Sequence, residues 1–563
     1  MDIFVMTNPA PLYPHSQPGL TKDTIARLLL LFQLERKIFA LIASYALAIG
    51  LFSLIVPLTV QELVNTFAFA IQPIMIVTLT GIMALTLLFV AGLRILQTRS
   101  VEILVQRLYT RISLALTQQL PRFKDEAPLS KYVNYFFEAE QAPRALVAML
   151  VDLMNVMVGG MVGMTMLIFY HPYFLVFDLV LLAGFLAAIV LPSRGGLRIT
   201  MKVNKLHYEI TNWMQNITDN VLHLKATLST PLLLRKTDAL VNDYVVSRKR
   251  RSDILHRQYK GSYVWQALGH SGLIGMAGWL LSIGQITLGQ FVAAEVIVGS
   301  LLQSMDTVTK RIYAMYHFFT SLDHLAFLFS QPKDTVSGHS AIALPDPHIH
   351  GVRLTCKDVE FAYPGAEPLI THFNLEVLPG EKLAIFSSTS SCKTTLARLL
   401  AGLYTPTSGV IRYNGIDLRD VNMESLNACR GLVLDSPLTL FEGTLEENIT
   451  IARPLISYED VRWALRFVEM EEEVDELPLG LRTVVQPSGK TFTSNQIQRI
   501  LIARAIVTRP QILILDGTLM SIAPSTRETI LRRLCSKDES WSVIFVSNDS
   551  TLVSHVDRRV VLD

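Results

Sequence analysis

Lys382-Leu-Ala-Ile-Phe386, Ser387-Ser-Thr-Ser390-Ser-Cys392-Lys393-Thr394-Thr395 and Leu396-Ala-Arg-Leu-Leu400 follow one another without interruption. The first run is apolar and short, like a buried strand. The second is built from small side chains, and the third has the apolar spacing of a helix. A strand feeding a helix through a small-residue loop belongs to an α/β sheet. The start of such a helix aims free backbone N–H groups and the positive end of its dipole at the loop, which suits a phosphate. Lys393 and Thr394 add a positive charge and a hydroxyl at that helix start.

Upstream the chain changes character. Half of the 563 residues are apolar, 17% are charged and mean hydropathy is positive, a composition too greasy for an ordinary soluble protein and too long for one domain. Lys and Arg are absent from residues 38–93, 145–193 and 261–309, and each interval has room for two crossings of about 20 residues. The expected spans are 38–60, 71–93, 146–170, 173–191, 263–283 and 287–307. Between the intervals the chain is basic, with eight Lys or Arg in 94–144 and thirteen against five acids in 194–260. The positive-inside rule then puts both basic segments and both termini in the cytosol. These segments contain helix-like stretches, Val101 to Gln119 and Lys205 to Asp219, which extend the membrane helices inward.

The expected organisation is a terminal segment 1–37, a six-helix membrane domain 38–330, a linker 331–350 rich in Pro, His, Ser and Gly, and an α/β domain 351–563. The net charge of +2 gives no reason to expect nucleic acid. Cys356, Cys392, Cys429 and Cys535 lack metal-ligand spacing and read as free thiols in a reducing compartment. Fewer than 40 residues precede the first crossing, so no N-terminal peptidase domain is expected. Inside the crossings stand Asp152, Asp178, His270 and Glu295, each costly if it faced lipid. They are expected to face the bundle interior or a water-filled path, while Asp152 and Asp178 also suit hydrated helix ends. Glu295, in Phe291-Val-Ala-Ala-Glu295, is the best candidate for a buried functional charge.

Further motifs line up after the Lys-Thr loop in the order of ABC-type nucleotide-binding domains, which the soluble half resembles. Phe361-Ala-Tyr363 resembles the aromatic loop that stacks adenine. Thr407-Ser-Gly409 and Tyr413-Asn-Gly415 resemble the stretch after the P-loop helix, and Phe441-Glu-Gly-Thr444-Leu-Glu-Glu-Asn448 the segment after the glutamine loop. Gln496-Ile-Gln498-Arg499 with Ala503-Arg504-Ala505 is similar to the helix after the family signature, and Ile512-Leu-Ile-Leu-Asp516 to the Walker B strand. With the helix plan, and stretches such as Gly284-Gln-Ile-Thr-Leu-Gly289, the chain resembles a bacterial ABC exporter half-transporter, near the type I secretion group. The resemblance implies six membrane helices of exporter type, intertwined in a dimer, followed by an α/β P-loop domain. It also implies ATP and Mg²⁺ as ligands and cytosolic coupling helices, for which 129–140 and 212–221 are candidates. The vestigial nucleotide site would comprise Tyr363, Lys393, Thr394, Thr395 and Asp516, with Thr394 and Asp516 on Mg²⁺ and Thr493 and Gln496 in the signature.

The same alignment exposes departures. Ser387, Ser390 and Cys392 stand where the family places mostly glycine, and their Cβ atoms should cost on the order of 1 kcal/mol each in strain or lost phosphate contact. The residue after Asp516, where the water-activating glutamate belongs, is Gly517, and the switch-histidine position is Ser547. The glutamine-loop position is Asp435. The signature reads Phe492-Thr493-Ser494-Asn495-Gln496 in place of L-S-G-G-Q, and Ser521-Ile-Ala-Pro524 replaces S-A-L-D. Loss of a general base alone costs about 10² to 10⁴ in rate. These departures favour a membrane subunit, homodimeric or heterodimeric, in the bacterial inner membrane, whose nucleotide domain holds ATP and Mg²⁺ weakly and is driven by an ATPase-competent partner: a pseudo-ATPase in a transport or secretion complex. The alternatives are an active ATP-driven exporter with unusual motifs, using Lys393, Asp516 and Asp435, and a membrane scaffold without transport.

Overall fold

The computed structural model describes residues 35–69, 73–123, 138–227, 230–329, 351–363, 365–387, 390–434, 440–453, 455–486, 491–517 and 519–562. Outside them lie most of the terminal segment, the linker 331–350, nearly all of the first candidate coupling helix and Asp435. The chain forms two compact units, Met1–Asp334 and Thr335–Asp563.

The first unit is helical. α1 (Arg36–Ser53) and α2 (Ile55–Phe69) share the first expected span and are divided at Leu54. Pro57 causes the break, because its ring meets the carbonyl of Ser53 and it has no N–H to give. α3 (Pro73–Gln119) runs 47 residues, about 70 Å at the helical rise and well over twice a hydrocarbon layer. The expected inward extension is therefore one unbroken helix. α4 (Glu138–Tyr170) and α5 (Tyr173–Val190) flank the short His171-Pro172 turn. Gly195, at φ +81°, then turns the chain into α6 (Gly196–Asp219), where the second candidate coupling segment begins. α7 (Thr230–Ser282) and α8 (Leu288–Phe329) complete the unit.

Five stretches among the described residues are long and apolar enough to cross a membrane: 36–66, 73–122, 140–170, 173–193 and 288–322. Six were expected. The fifth crossing, 263–283, is the one missing: it forms the end of α7, but Gly, Ser, His, Tyr and Gln dilute its apolar residues, so its composition is less lipid-like than the others. α8 has a hydropathy of 1.3, against 2.0 to 2.8 for the remaining spans.

Polar contacts hold the bundle where apolar packing alone gives no direction. Gln97 on α3 is 3% exposed and exchanges two hydrogen bonds with Asn155 on α4, donating at 3.0 Å and accepting at 3.2 Å. Near the α7–α8 turn the Gly289 N–H donates to Asn65 Oδ1 at 3.1 Å, and a Cβ at 289 would lie 2.4 Å from both Asn65 Oδ1 and the Gln61 carbonyl. Only glycine lets α8 approach α2 this closely.

The second unit has two sheets. β1 (Leu354–Ala362), β2 (Pro368–Val377), β4 (Ser408–Tyr413) and β5 (Ile416–Asp417) form an antiparallel sheet in the order β2-β1-β4-β5. β3 (Lys382–Ser387), β6 (Arg430–Val433), β9 (Ile512–Asp516), β10 (Ser542–Val546) and β11 (Arg558–Leu562) form a parallel sheet in the order β11-β3-β10-β9-β6. β7 (Gly443–Thr444) and β8 (Val484–Val485) make a small pair. Strand side chains alternate between two cores, as the pleat requires. Leu383, Ile385, Ile514, Ile544 and Val546 join the core around α9 (Ser390–Leu400), while Ala384, Leu515, Val543 and Phe545 join the other. Both faces of the parallel sheet are covered, so function is left to its edges and strand ends.

The Gln97–Asn155 pair yields a prediction. Gln97→Leu strands the Asn155 amide in an apolar bundle and lowers resistance to SDS unfolding by about 1 kcal/mol, while the double change to leucine recovers part of the loss. A double-mutant cycle monitored by circular dichroism checks this, and additive single effects contradict it.

Candidate functional site

Parallel pairing places three strand ends side by side. Ile385 of β3 pairs with Val546 of β10, and Val546 pairs with Asp516 of β9. The loop leading to Lys393 leaves β3 just beyond Ile385, Ser547 follows Val546, and Gly517 follows Asp516. The sheet thus collects the phosphate loop, the switch position and the base position at its carboxyl edge, where open α/β sheets bind ligands.

Lys393 and Thr394 sit in the first turn of α9, half-exposed, and Lys393 has no ion-pair partner among the described residues. Ser390 and Cys392 lie in that helix and Ser387 ends β3. At those three positions the backbone is that of an ordinary strand or helix. Ser388 and Thr389 lie outside the described residues. Asp516 is 3% exposed at the end of β9.

Tyr363, expected to stack on adenine, reaches the same helix. Its hydroxyl lies 2.9 Å from Thr395 Oγ1, and its ring meets Phe361 edge-on at 5.1 Å and Tyr404 at 6.1 Å. Phe361 and Tyr404 are stacked at 5.4 Å and 4°, and Arg398 donates to the Tyr404 hydroxyl at 2.7 Å. Sequence reasoning missed Tyr404 and Arg398. The available signal was an aromatic just past a helix whose Arg398 lies on the same side.

The base and switch positions have adapted locally. Gly517 has φ +60°, a conformation L side chains rarely take, and its N–H donates to the Val546 carbonyl at 3.0 Å. A glutamate there would be strained as well as new. Ser547 Oγ accepts from the Asp549 N–H at 3.1 Å, and Asp549 pairs with Arg527 at 3.4 Å, so the switch residue serves its own turn.

Thr493 and Gln496 are brought together at the start of α10 (Ser494–Ile506) as a capping box. Thr493 Oγ1 accepts from the Gln496 N–H at 3.3 Å, and the Thr493 N–H donates to Gln496 Oε1 at 2.9 Å. Gln496 Nε2 also donates to Glu473, which accepts at 2.6 Å from the buried Arg499. Arg504 on the same helix donates to the Asn448 carbonyl at 2.6 Å and to Asn448 Oδ1 at 3.0 Å, and burial pushes its guanidinium down to about 10. Asn448 Oδ1 in turn accepts from the Phe441 N–H. The motif residues that persist here fasten scaffold to scaffold. No hydrogen bond joins Thr493 or Gln496 to the phosphate loop among the described residues.

In the membrane unit His270 Nδ1 and Glu295 Oε1 are 3.2 Å apart, so these two named residues meet. Asp178 does not join them by a hydrogen bond. It is 3% exposed on α5, on the face of Phe174 and Leu181, and both carboxyl oxygens lack a hydrogen-bond partner among the described residues. It faces packed protein, which agrees with the bundle-interior expectation and not with the hydrated helix end. Asp152 is paired with Arg311 at 2.5 Å.

The ABC transporter family model matches residues 370–519, which contain the phosphate loop, the signature region and Asp516. A solved bacterial Atm1-family ABC exporter with ATP bound superposes with a TM-score of 0.83 at 19% identity, over 94% of this chain and 93% of that one. The chain has the fold of an ABC exporter half-transporter. That fold joins a helical membrane domain to a C-terminal ABC nucleotide-binding domain. Among curated relatives, the chain is 26% identical over 393 residues to the probable multidrug resistance ABC transporter ATP-binding/permease protein YheI of Bacillus subtilis, covering 67% of this chain and 66% of that protein. It is 26% identical to the alpha-hemolysin translocation ATP-binding protein HlyB of Escherichia coli O157:H7, covering 60% and 48%. It is 31% identical to the multidrug efflux ATP-binding/permease protein Rv0194 of Mycobacterium tuberculosis, covering 53% and 24%. The matches thus span two thirds of those relatives' length or less. They lend nothing to the pseudo-ATPase expectation, which stands on the altered motif residues alone.

The residues present fit nucleotide phosphates and a metal: a lysine and a threonine at a helix start, with a carboxylate two strands away. They do not supply a general base at 517 or 547. Among the four thiols, Cys356 and Cys429 are buried and Cys535 is half-buried, and burial raises them to about 12, 11 and 12. Cys392 is half-exposed in the first turn of α9, beside the phosphate loop. N-ethylmaleimide should therefore modify Cys392 first, with Mg-ATP slowing the reaction severalfold; peptide mass spectrometry reads the site, and equal labelling of Cys356 contradicts it. Gly517→Glu should lower the stability of the soluble unit by about 1 kcal/mol or more without raising turnover. Calorimetry and phosphate release check both parts, and a stable, fast variant contradicts them.

Proposed function

We propose that this chain is one half of a dimeric, ATP-driven exporter in the bacterial inner membrane, with its nucleotide domain in the cytosol, and that it turns over slowly. The observation that carries the reading is the shared sheet edge, where the Lys393–Thr394 helix start and Asp516 converge in an exporter fold. Lys393 would hold the outer phosphates, and Thr394 with Asp516 would hold Mg²⁺; Tyr363 would leave Thr395 to meet the base. ATP binding and hydrolysis supply the free energy that alternates the membrane unit. With Gly517 and Ser547 in place of base and switch, neither position offers a side chain that abstracts a proton from water, which caps the rate.

A second reading is favoured by Gly517 itself. Its left-handed backbone and the capping role of Ser547 are local structure suited to life without a catalytic glutamate. On that reading the chain is a pseudo-ATPase subunit beside an ATPase-competent partner, either a second gene product or another motor of the complex.

ATP hydrolysis by the purified protein in nanodiscs separates the two. The first reading expects turnover about 10² to 10⁴ below that of an exporter with an intact base, abolished by Lys393→Ala and by Asp516→Asn. Absence of turnover together with a copurifying ATPase found by mass spectrometry overturns the first reading in favour of the second.

A further inference from the structure

α7 and α8, which carry the least lipid-like of the six expected crossings, hold a cluster of ionisable side chains. Glu295 is seven residues into α8, about 10 Å from the α7–α8 turn at the helical rise and well within a hydrocarbon layer about 30 Å thick. Its side chain is 38% exposed and that of His270 is 44% exposed. A carboxylate left open to lipid at such depth is costly, so an exposed one faces a partner or a water-filled path.

Charge balance says what the path should hold. Asp306 on α8 is neutralised by Lys310 at 2.6 Å, and Asp152 on α4 by Arg311 at 2.5 Å. Glu295 has neither lysine nor arginine among the described residues. Its one ion-pair partner is His270, which carries a charge only when protonated, and Glu295 Oε2 is buried without a hydrogen-bond donor. The neighbouring faces are aromatic. Tyr263 stands two turns from His270 on α7, half-exposed and stacked on Tyr259 at 6.4 Å, and Phe291 stands one turn from Glu295 on α8. A carboxylate with an aromatic residue one turn away on its own helix complements a cation with an apolar body.

We propose that Glu295, backed by His270, is the binding point for a cationic, apolar-bodied substrate in the membrane unit. Glu295 supplies the missing half of an ion pair, His270 fixes one of its oxygens, and Tyr263 and Phe291 pack against the substrate's apolar part. This rests on the exporter reading above, since a path through the bundle is what gives the site an occupant. It does not depend on the hydrolysis rate.

Tetraphenylphosphonium and tetraphenylborate share shape and apolarity and differ in the sign of their charge. Their equilibrium binding to the full chain in nanodiscs, without nucleotide and with empty nanodiscs subtracted, tests the site. The wild type should bind the phosphonium at least tenfold more tightly than the borate; Glu295→Gln should remove the preference, and Glu295→Asp should retain part of it. A wild type with no charge preference, or a preference that survives Glu295→Gln, overturns the proposal. If the preference is present but ATP drives no accumulation of phosphonium in proteoliposomes, the cation site stands and the exporter reading falls.

Discussion

Main-chain pairing of β10 between β3 and β9 is the constraint on which the soluble half depends. It fixes Ile385, Val546 and Asp516 in one row and so decides where the Lys393 helix, Ser547 and Gly517 emerge. The pairing needs only apolar strands buried on both faces, and those are intact in this chain. The scaffold can therefore persist while residues at its edge change, because the edge contributes little to the cores. Asn448 with Arg504, and Thr493 with Gln496, extend the same logic: each is a motif residue with a mechanical duty in this chain, capping a helix or docking a loop. Loss of those residues would leave buried polar groups unsatisfied, whereas replacing a catalytic glutamate by glycine leaves no such debt.

The membrane half obeys a different rule. Apolar packing there does not distinguish helix from lipid, so orientation comes from small residues and polar pairs. Gly289 against Asn65, and Gln97 with Asn155, are such contacts, and each is formed between segments far apart in sequence. The same scarcity of polar groups makes an incompletely neutralised Glu295 stand out, since Asp306, Lys310 and Arg311 on α8 are each matched by a nearby charge.

Much of this architecture was legible in the sequence because it is written in long-period signals. Intervals without Lys or Arg marked the crossings, and the strand–loop–helix run at 382–400 marked the nucleotide domain. The division at Leu54 was signalled by Pro57 but hidden inside one apolar stretch. The crossing at the end of α7 was placed correctly as helix, yet its Gly, Ser and Tyr content sets it apart from the lipid-like spans. At the site, residue types were readable and conformations were not. Nothing in the letters S-S-T-S-S-C shows that Ser390 and Cys392 take ordinary helical angles, nor that Gly517 has a positive φ. The pairing of Tyr363 with Thr395, and the stack of Phe361 on Tyr404, depend on contacts between β1 and α9 that no local pattern encodes.

The central claim is that the sheet edge still holds nucleotide through Lys393. Titration of the purified protein with a fluorescent ATP analogue, with and without Mg²⁺, tests it most directly. The account predicts saturable, Mg²⁺-assisted binding that weakens at least tenfold in Lys393→Ala. Identical titrations of the wild type and the variant would contradict it and leave Lys393 a solvated side chain at the start of a helix.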